Sequence, residues 1–218
     1  MSGTNKLPVV YLARHGETPW TISGQHTGLT DIQLNAQGEA QATHLGERLR
    51  EQSFAAVLTS PLQRARRTSE LAGFGHVARI MPDLIEWNYG DYEGRTSADI
   101  HVERIDWDLF RDGGPGGESP EDVGARADRV VRLVRAIDGD VLLFSSGHFL
   151  RVLAARWLGL EPAAGRYFLL STASLSALGY EHDRSQPVIR LWDETSHLRR
   201  PAAAQPTAEL THSHEVAR

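Results

Sequence analysis

Arg14-His15-Gly16 closes a short apolar run, Val9 to Ala13, and a second arginine, Arg64, sits in an arginine-rich stretch after another such run, Ala55 to Leu58. Two guanidiniums can each grip phosphate oxygens through paired N–H groups, which fixes geometry and neutralises charge in a way lysine does not. A neutral imidazole, with an unperturbed pKa near ~6.5, is a competent nucleophile toward phosphorus at neutral pH. Glu86, in the loop EWNYGDYEG, offers the carboxyl group that a departing alcohol needs as proton donor. Ser146-Gly147-His148 follows a third apolar run, Val141 to Ser145. Together these groups suit phosphoryl transfer from a phosphate ester. Singly, each has a plainer reading: a histidine in a turn, an arginine on a surface, an aromatic packing its own loop. Their recurrence after successive apolar runs carries the functional reading.

The elements that position them follow from periodicity. Val9 to Ala13 and Ala55 to Leu58 read as strands, as does Val77 to Leu84. Leu34 to Gln52 has a helical period opened by Asn35, and Ser60-Pro61 reads as a cap and first helical residue for Leu62 to Ala72. Ser97 to Phe110 is expected as an inserted helix, and Asp112 to Gly117 as a break that serves as hinge or lid. From Ser119 a helix begins whose apolar face is Val123, Ala127, Val130, Val134 and Ile137, with Arg126, Arg129, Arg132 and Arg135 facing outward. Val141 to Ser145 is continuously apolar, the mark of a central strand covered on both faces, followed by a helix over His148 to Leu158. Strands near 175–180 and 188–192 close a sheet edge. The alternation predicts a three-layer α/β/α sandwich with a mostly parallel sheet, whose ligands sit beyond the carboxyl ends of the strands.

The 218 residues suit one domain over 1–198, with a helical insertion at about 95–118 and a disordered tail over 199–218. His212 and His214 fall in that tail and are read as part of it, not as a metal site. A net charge of -5 argues against a nucleic-acid partner, since the anion site must be local. The absence of cysteine removes thiolate metal sites, disulfides and cysteine nucleophiles. No apolar run approaches the ~20 residues of a membrane span, and no secretory leader is read at the start, so a cytoplasmic protein without a membrane partner is expected.

Five elements in order resemble the histidine phosphatase superfamily, the phosphoglycerate-mutase-like proteins. They are Arg14-His-Gly-Glu-Thr-Pro-Trp20, Ser60 to Thr68 with Arg64, Leu84 to Gly94 with Glu86, Gly117-Glu118-Ser119, and Gly147-His148-Phe-Leu-Arg151. The resemblance spans residues 11 to 157, and Ser23 to Asp31 with Glu86 to Gly94 is most similar to the sugar-phosphatase branch that includes sedoheptulose-1,7-bisphosphatase. It implies that His15 attacks phosphorus to give a phosphohistidine, that Arg14 and Arg64 hold the phosphoryl oxygens, and that Glu86 protonates the leaving oxygen and then activates water. It implies no metal or other cofactor. Thr27, the Gly28 backbone and Thr21 are expected to reach the small phosphate-ester substrate, and the aromatic Trp87, Tyr89 and Tyr92 to stack on its sugar or aryl group.

Two departures from the family pattern matter. Ser146 and Gly147 stand where the resemblance expects His-Gly, so a cation is missing unless His148 turns into the gap. Trp87 follows Glu86 where mutases carry arginine, and Arg111 lies among Asp106, Asp108 and Asp112, so hydrolysis is expected over mutase transfer. A weakly active phospholigand-binding protein is the remaining alternative, and it follows from Ser146.

Overall fold

The computed structural model describes residues 6 to 199. Strands β1 (Val10–Arg14), β2 (Ala56–Thr59), β3 (Arg79–Ile80) and β4 (Val141–Ser145) lie parallel. β5 (Leu175–Tyr180) and β6 (Pro187–Glu194) run antiparallel at one edge. Among the described residues these six make one sheet in the order β3-β2-β4-β1-β5-β6. Hydrogen-bonded on both sides and wholly buried, β4 is central, as its unbroken apolar run requires.

Successive strand residues point to opposite faces, so the sheet feeds two cores. Val10, Leu12, Leu58, Val141 and Leu143 pack in one, and Ala13, Val57, Leu142 and Phe144 in the other. Around the sheet lie α1 (Pro19–Ser23), α2 (Ala36–Leu49), α3 (Gln63–Leu71), α4 (Ser97–Glu103), α5 (Leu109–Asp112), α6 (Pro120–Arg135) and α7 (Gly147–Trp157). The first core is covered by α6 and α7 and the second by α2 with Ala72, giving the α/β/α sandwich. Truncating a fully buried side chain such as Phe144 to alanine costs about 3–5 kcal/mol in such a core.

The caps at Asn35 and Ser119 form as expected: Asn35 Oδ1 accepts from Gly38 N–H at 2.8 Å, and Ser119 and Asp122 make a reciprocal box. Four expectations are corrected. Ser60 does not cap α3, because its own N–H still extends the sheet to the Phe144 carbonyl at 2.9 Å; Asp31, from a distant loop, caps Gln63 instead at 2.7 Å. The strand over Val77 to Leu84 shrinks to Arg79–Ile80, since Val77 and Ala78 are turned back on Phe74 and Pro82 opens a 3-10 turn. The inserted helix breaks in two, because Asp108 caps a new start at the Phe110 N–H. The 113–117 segment, expected as a hinge or lid, is packed along the acid loop, residues 86–94, with Asp91 N–H donating to the Pro115 carbonyl at 2.8 Å. Residues 200 to 218, the expected tail with His212 and His214, lie outside the described part of the chain.

Candidate active site

Parallel pairing brings the carboxyl ends of β1, β2 and β4 level. His15 N–H donates to the Ser145 carbonyl at 2.9 Å, and Ser60 N–H to that of Phe144. The His15 ring is buried, and its Nδ1 lies 2.8 Å from the Gly16 carbonyl, which can only accept. Nδ1 therefore carries the hydrogen, and the Nε2 lone pair is left for chemistry. Burial first, then the charges of Arg64 and Arg14, hold the imidazole well below its ordinary range, so it is neutral at pH 7. Gly16 has no room for a side chain: a Cβ there would stand 2.3 Å from the Gly38 carbonyl at the start of α2.

The two arginines are used unequally. Arg14 donates through Nη1 to the Leu170 carbonyl, and its Nε is buried without a protein partner. Arg64 is fully buried behind the cleft wall; Nη2 donates to the Thr27 and Gly28 carbonyls at 2.9 and 2.8 Å, and Nη1 to Thr30 at 3.0 Å. Its Nε is also unpartnered. Burial pulls both guanidiniums down from the ordinary arginine range, and the Glu86 carboxylate opposes that pull.

Glu86 is clamped by backbone. Oε1 accepts from Trp87 N–H at 2.9 Å and Phe149 N–H at 2.7 Å, and Oε2 from His148 N–H at 3.0 Å. Two of these donors belong to the first turn of α7, where free N–H groups attract an anion. The preceding segment is tied down as well, by Ser145 Oγ donating to the Leu84 carbonyl at 2.6 Å. Arg126 does not face solvent as expected: it is buried, bonded to the Asp83, Ile85 and Glu86 carbonyls and paired with Glu118.

A cleft of about 270 Å³ opens above these strand ends, lined by Arg14, His15, Thr21, Thr27, Glu86, Gly147 and His148 from the expected set. Gly147 lets the Arg14 guanidinium lie close against the start of α7, since a Cβ there would stand 3.2 Å from the guanidinium carbon and push it by a few tenths of an ångström. Ser146 is buried beneath the cleft and its Oγ has no protein partner. Two expectations fail on hydrogen-bond accounting. The Gly28 N–H is taken by Glu93 Oε1 at 2.8 Å and its carbonyl accepts from Arg64, so its backbone has no N–H left to donate to a phosphate. Trp87 is fully buried, its indole N–H donating to the Glu118 carbonyl and its ring against Phe110, so it cannot stack on a ligand. Thr21 lines the cleft, but its one hydroxyl hydrogen goes to the Thr18 carbonyl at 2.8 Å.

Of the aromatics expected to stack, Tyr89 lines the cleft, and the structure adds Trp20, Gln25, His26, Ser97 and Arg151 to the walls. Arg151 was findable, three residues after His148 on the same helix face; Ser97 carried no local signal. A second pocket of about 280 Å³, under α5, shares His26, Ser97, His148 and Arg151 with the cleft, so the two spaces adjoin.

An imidazole lone pair, two arginines and a clamped carboxylate at the carboxyl edge of a mostly parallel sheet define a phosphoryl-transfer class of protein. The model of the histidine phosphatase superfamily (branch 1) matches residues 10–195, and the chain belongs to that family. It is a phosphatase hydrolase. It is 41% identical over 175 residues to an acid phosphatase of Mycobacterium tuberculosis, covering 78% of this chain and 86% of that one. It is 35% identical over 186 residues to the sedoheptulose 1,7-bisphosphatase of Saccharomyces cerevisiae, covering 70% and 68%. The solved structure of an open reading frame product from Mycobacterium tuberculosis superposes with a TM-score of 0.83 at 37% identity, covering 87% of this chain and 99% of that one.

Proposed function

We propose that the protein hydrolyses small phosphorylated metabolites, sugar phosphates or bisphosphates, through a phosphohistidine on His15. The observation that carries this is the Nδ1 contact to the Gly16 carbonyl, which leaves a neutral Nε2 lone pair beside Arg14 and Glu86. Nε2 attacks phosphorus as the bond to the ester oxygen breaks, and Glu86 gives its proton to the departing alcohol. Glu86 then takes a proton from water, which attacks the phosphohistidine and frees inorganic phosphate and His15. Arg14, which lines the cleft and has an unpartnered Nε, is suited to the phosphoryl oxygens, while Arg64 and Ser146, with unpartnered Nε and Oγ, stand buried directly behind it and add positive charge and a hydroxyl dipole there.

Arg151 supports a substrate with a second anionic group. Its Nε and Nη2 are fixed by the Gly165 and Arg166 carbonyls at 3.0 Å, and it stands where the cleft meets the second pocket. The bisphosphatase relative points the same way. Arg111 is paired with Asp112 at 2.8 Å and lies beside Asp106, which leaves little free charge for a phosphoglycerate and favours hydrolysis over mutase transfer.

The test is phosphate release in EDTA from sugar mono- and bisphosphates, phosphoglycerates and an aryl phosphate, with acid-labile label trapped on the wild type and absent from His15→Ala. Equal label on both proteins overturns the nucleophile. The buried, uncharged Ser146 favours a second reading, a phospholigand-binding protein with little turnover; binding without hydrolysis of any panel member would establish it.

A further inference from the structure

Tyr89 and His148 make a contact that the two-step transfer does not use. Tyr89 Oη lies 2.6 Å from His148 Nδ1, and the rings meet edge to face at 5.8 Å. Both side chains line the cleft. Burial, then the Glu86 charge, raises the phenol well above its ordinary range, while burial, then Arg151, His26 and Arg14, lowers the imidazole. Two neutral groups share one hydrogen bond, so the question is which of them donates.

An imidazole nitrogen is a far better acceptor than a phenol oxygen, and a phenol hydroxyl is a far better donor than an imidazole N–H. The 2.6 Å separation agrees, being short for N–H···O, which centres on about 2.9–3.0 Å, and in keeping with a hydroxyl donor. The tyrosine hydrogen therefore goes to Nδ1, and the ring's own hydrogen sits on Nε2. Nε2 has no partner among the described residues, and the ring borders both the cleft and the pocket beside it. The ring is held in that pose. The His26 ring packs, tilted, 4.9 Å from Tyr89 and 6.0 Å from His148, Phe110 lies 5.5 Å from His148, and the His148 N–H is bound to Glu86.

We propose that Tyr89 is a positioning residue that locks His148 as the Nε2–H tautomer, so that His148 presents a neutral donor to a phosphate-ester oxygen in place of the histidine that Ser146 replaces. The ester rests on the function proposed above; the tautomer does not. Site compensation is thus by a hydrogen bond without charge, imposed by a tyrosine from the acid loop.

The decisive measurement is a long-range proton–nitrogen correlation spectrum of the full chain labelled with nitrogen-15 histidine, at pH 7 without substrate, with His148 assigned by its loss in His148→Gln. Expected is Nδ1 bare and Nε2 protonated, changing to a tautomer mixture in Tyr89→Phe. In kinetics, His148→Ala loses roughly 100-fold in kcat, as removal of one donor to a developing anion does. His148→Gln, which keeps an N–H donor, recovers most of that loss, and Tyr89→Phe loses roughly 10-fold in kcat with KM little changed. An Nδ1-protonated His148 in the wild type overturns the proposal, as does Tyr89→Phe with full kcat. Because the tautomer is read without substrate, an inactive wild type would fell the proposed function while the spectrum still decides the Tyr89–His148 contact.

Discussion

Arg126 and Glu118 meet through two parallel hydrogen bonds, Nε to Oε1 and Nη2 to Oε2, each 2.9 Å. The pair is a splint for the segment that carries the Glu86 carboxylate. The rest of the Arg126 guanidinium is spent on the carbonyls of Asp83, Ile85 and Glu86, Glu118 Oε2 also accepts from Asn88 N–H at 2.9 Å, and the guanidinium lies 4.6 Å over the Phe149 ring, whose own N–H holds Glu86. Arg126→Met strands Glu118 and three carbonyls. Urea unfolding should show a loss of about 3 kcal/mol, the size expected when one partner of a buried pair is removed, together with a fall in kcat larger than any change in KM. An unchanged kcat would show that the splint does not reach Glu86.

Glu86→Gln separates proton donation from phosphoryl attack. With a sugar phosphate, whose alkoxide is a poor leaving group, kcat should drop by roughly 10²–10⁴, the range for losing a general acid. With p-nitrophenyl phosphate, whose leaving group needs no proton, the first step should be far less affected. Rapid-quench measurement of phosphoenzyme formation on both substrates gives the ratio. An equal loss on the two would mean that Glu86 is not the acid.

His26 couples the cleft to stability. Burial depresses its pKa from 6.5 to about 4, so the unfolded chain binds a proton there more readily than the folded one. The sign follows: its contribution is complete above pH 6.5 and is lost as pH falls toward 4. Between pH 7 and pH 5 this residue alone should cost about 2 kcal/mol. Denaturant titrations at the two pH values should therefore show a drop in the wild type that exceeds the drop in His26→Asn by about that amount. Parallel losses would contradict it.

Ser146→Ala distinguishes a buried structural hydroxyl from one kept for substrate. The Oγ has no protein partner, so its removal should leave the melting temperature unchanged or slightly raised. If the hydroxyl donates to the phosphoryl group, KM for a phosphate ester should rise by roughly 3- to 10-fold, the worth of one neutral hydrogen bond. A lowered melting temperature with unchanged KM would assign it to packing.

Much of the site was legible along the chain because its groups sit at ends of strands whose apolar runs are local signals. His15 directly follows β1, Ser146 follows β4, and Arg64 lies in the first turn after β2, so each is delivered to the rim by nearest neighbours in sequence. Arg126 was grouped with the outward-facing arginines of its helix although its spacing from Val123 and Val130 puts it beside the apolar face; what holds it inward are carbonyls some forty positions away. Trp87 read as a surface for a ligand because it adjoins Glu86, yet α5 brings Phe110 against it and closes it off.

Residue order by itself determined which functional groups could meet, since strand and helix periodicity and the Arg14-His15-Gly16 turn are short-range properties of the chain. Which hydrogens and lone pairs remain free was decided only by tertiary structure. Gly28 lost its N–H to Glu93 and had its carbonyl engaged by Arg64, and Glu86 is held by the N–H groups of His148 and Phe149. The physical reason is that a buried polar atom must find a partner, and for most of the groups around this cleft that partner comes from an element far away in sequence.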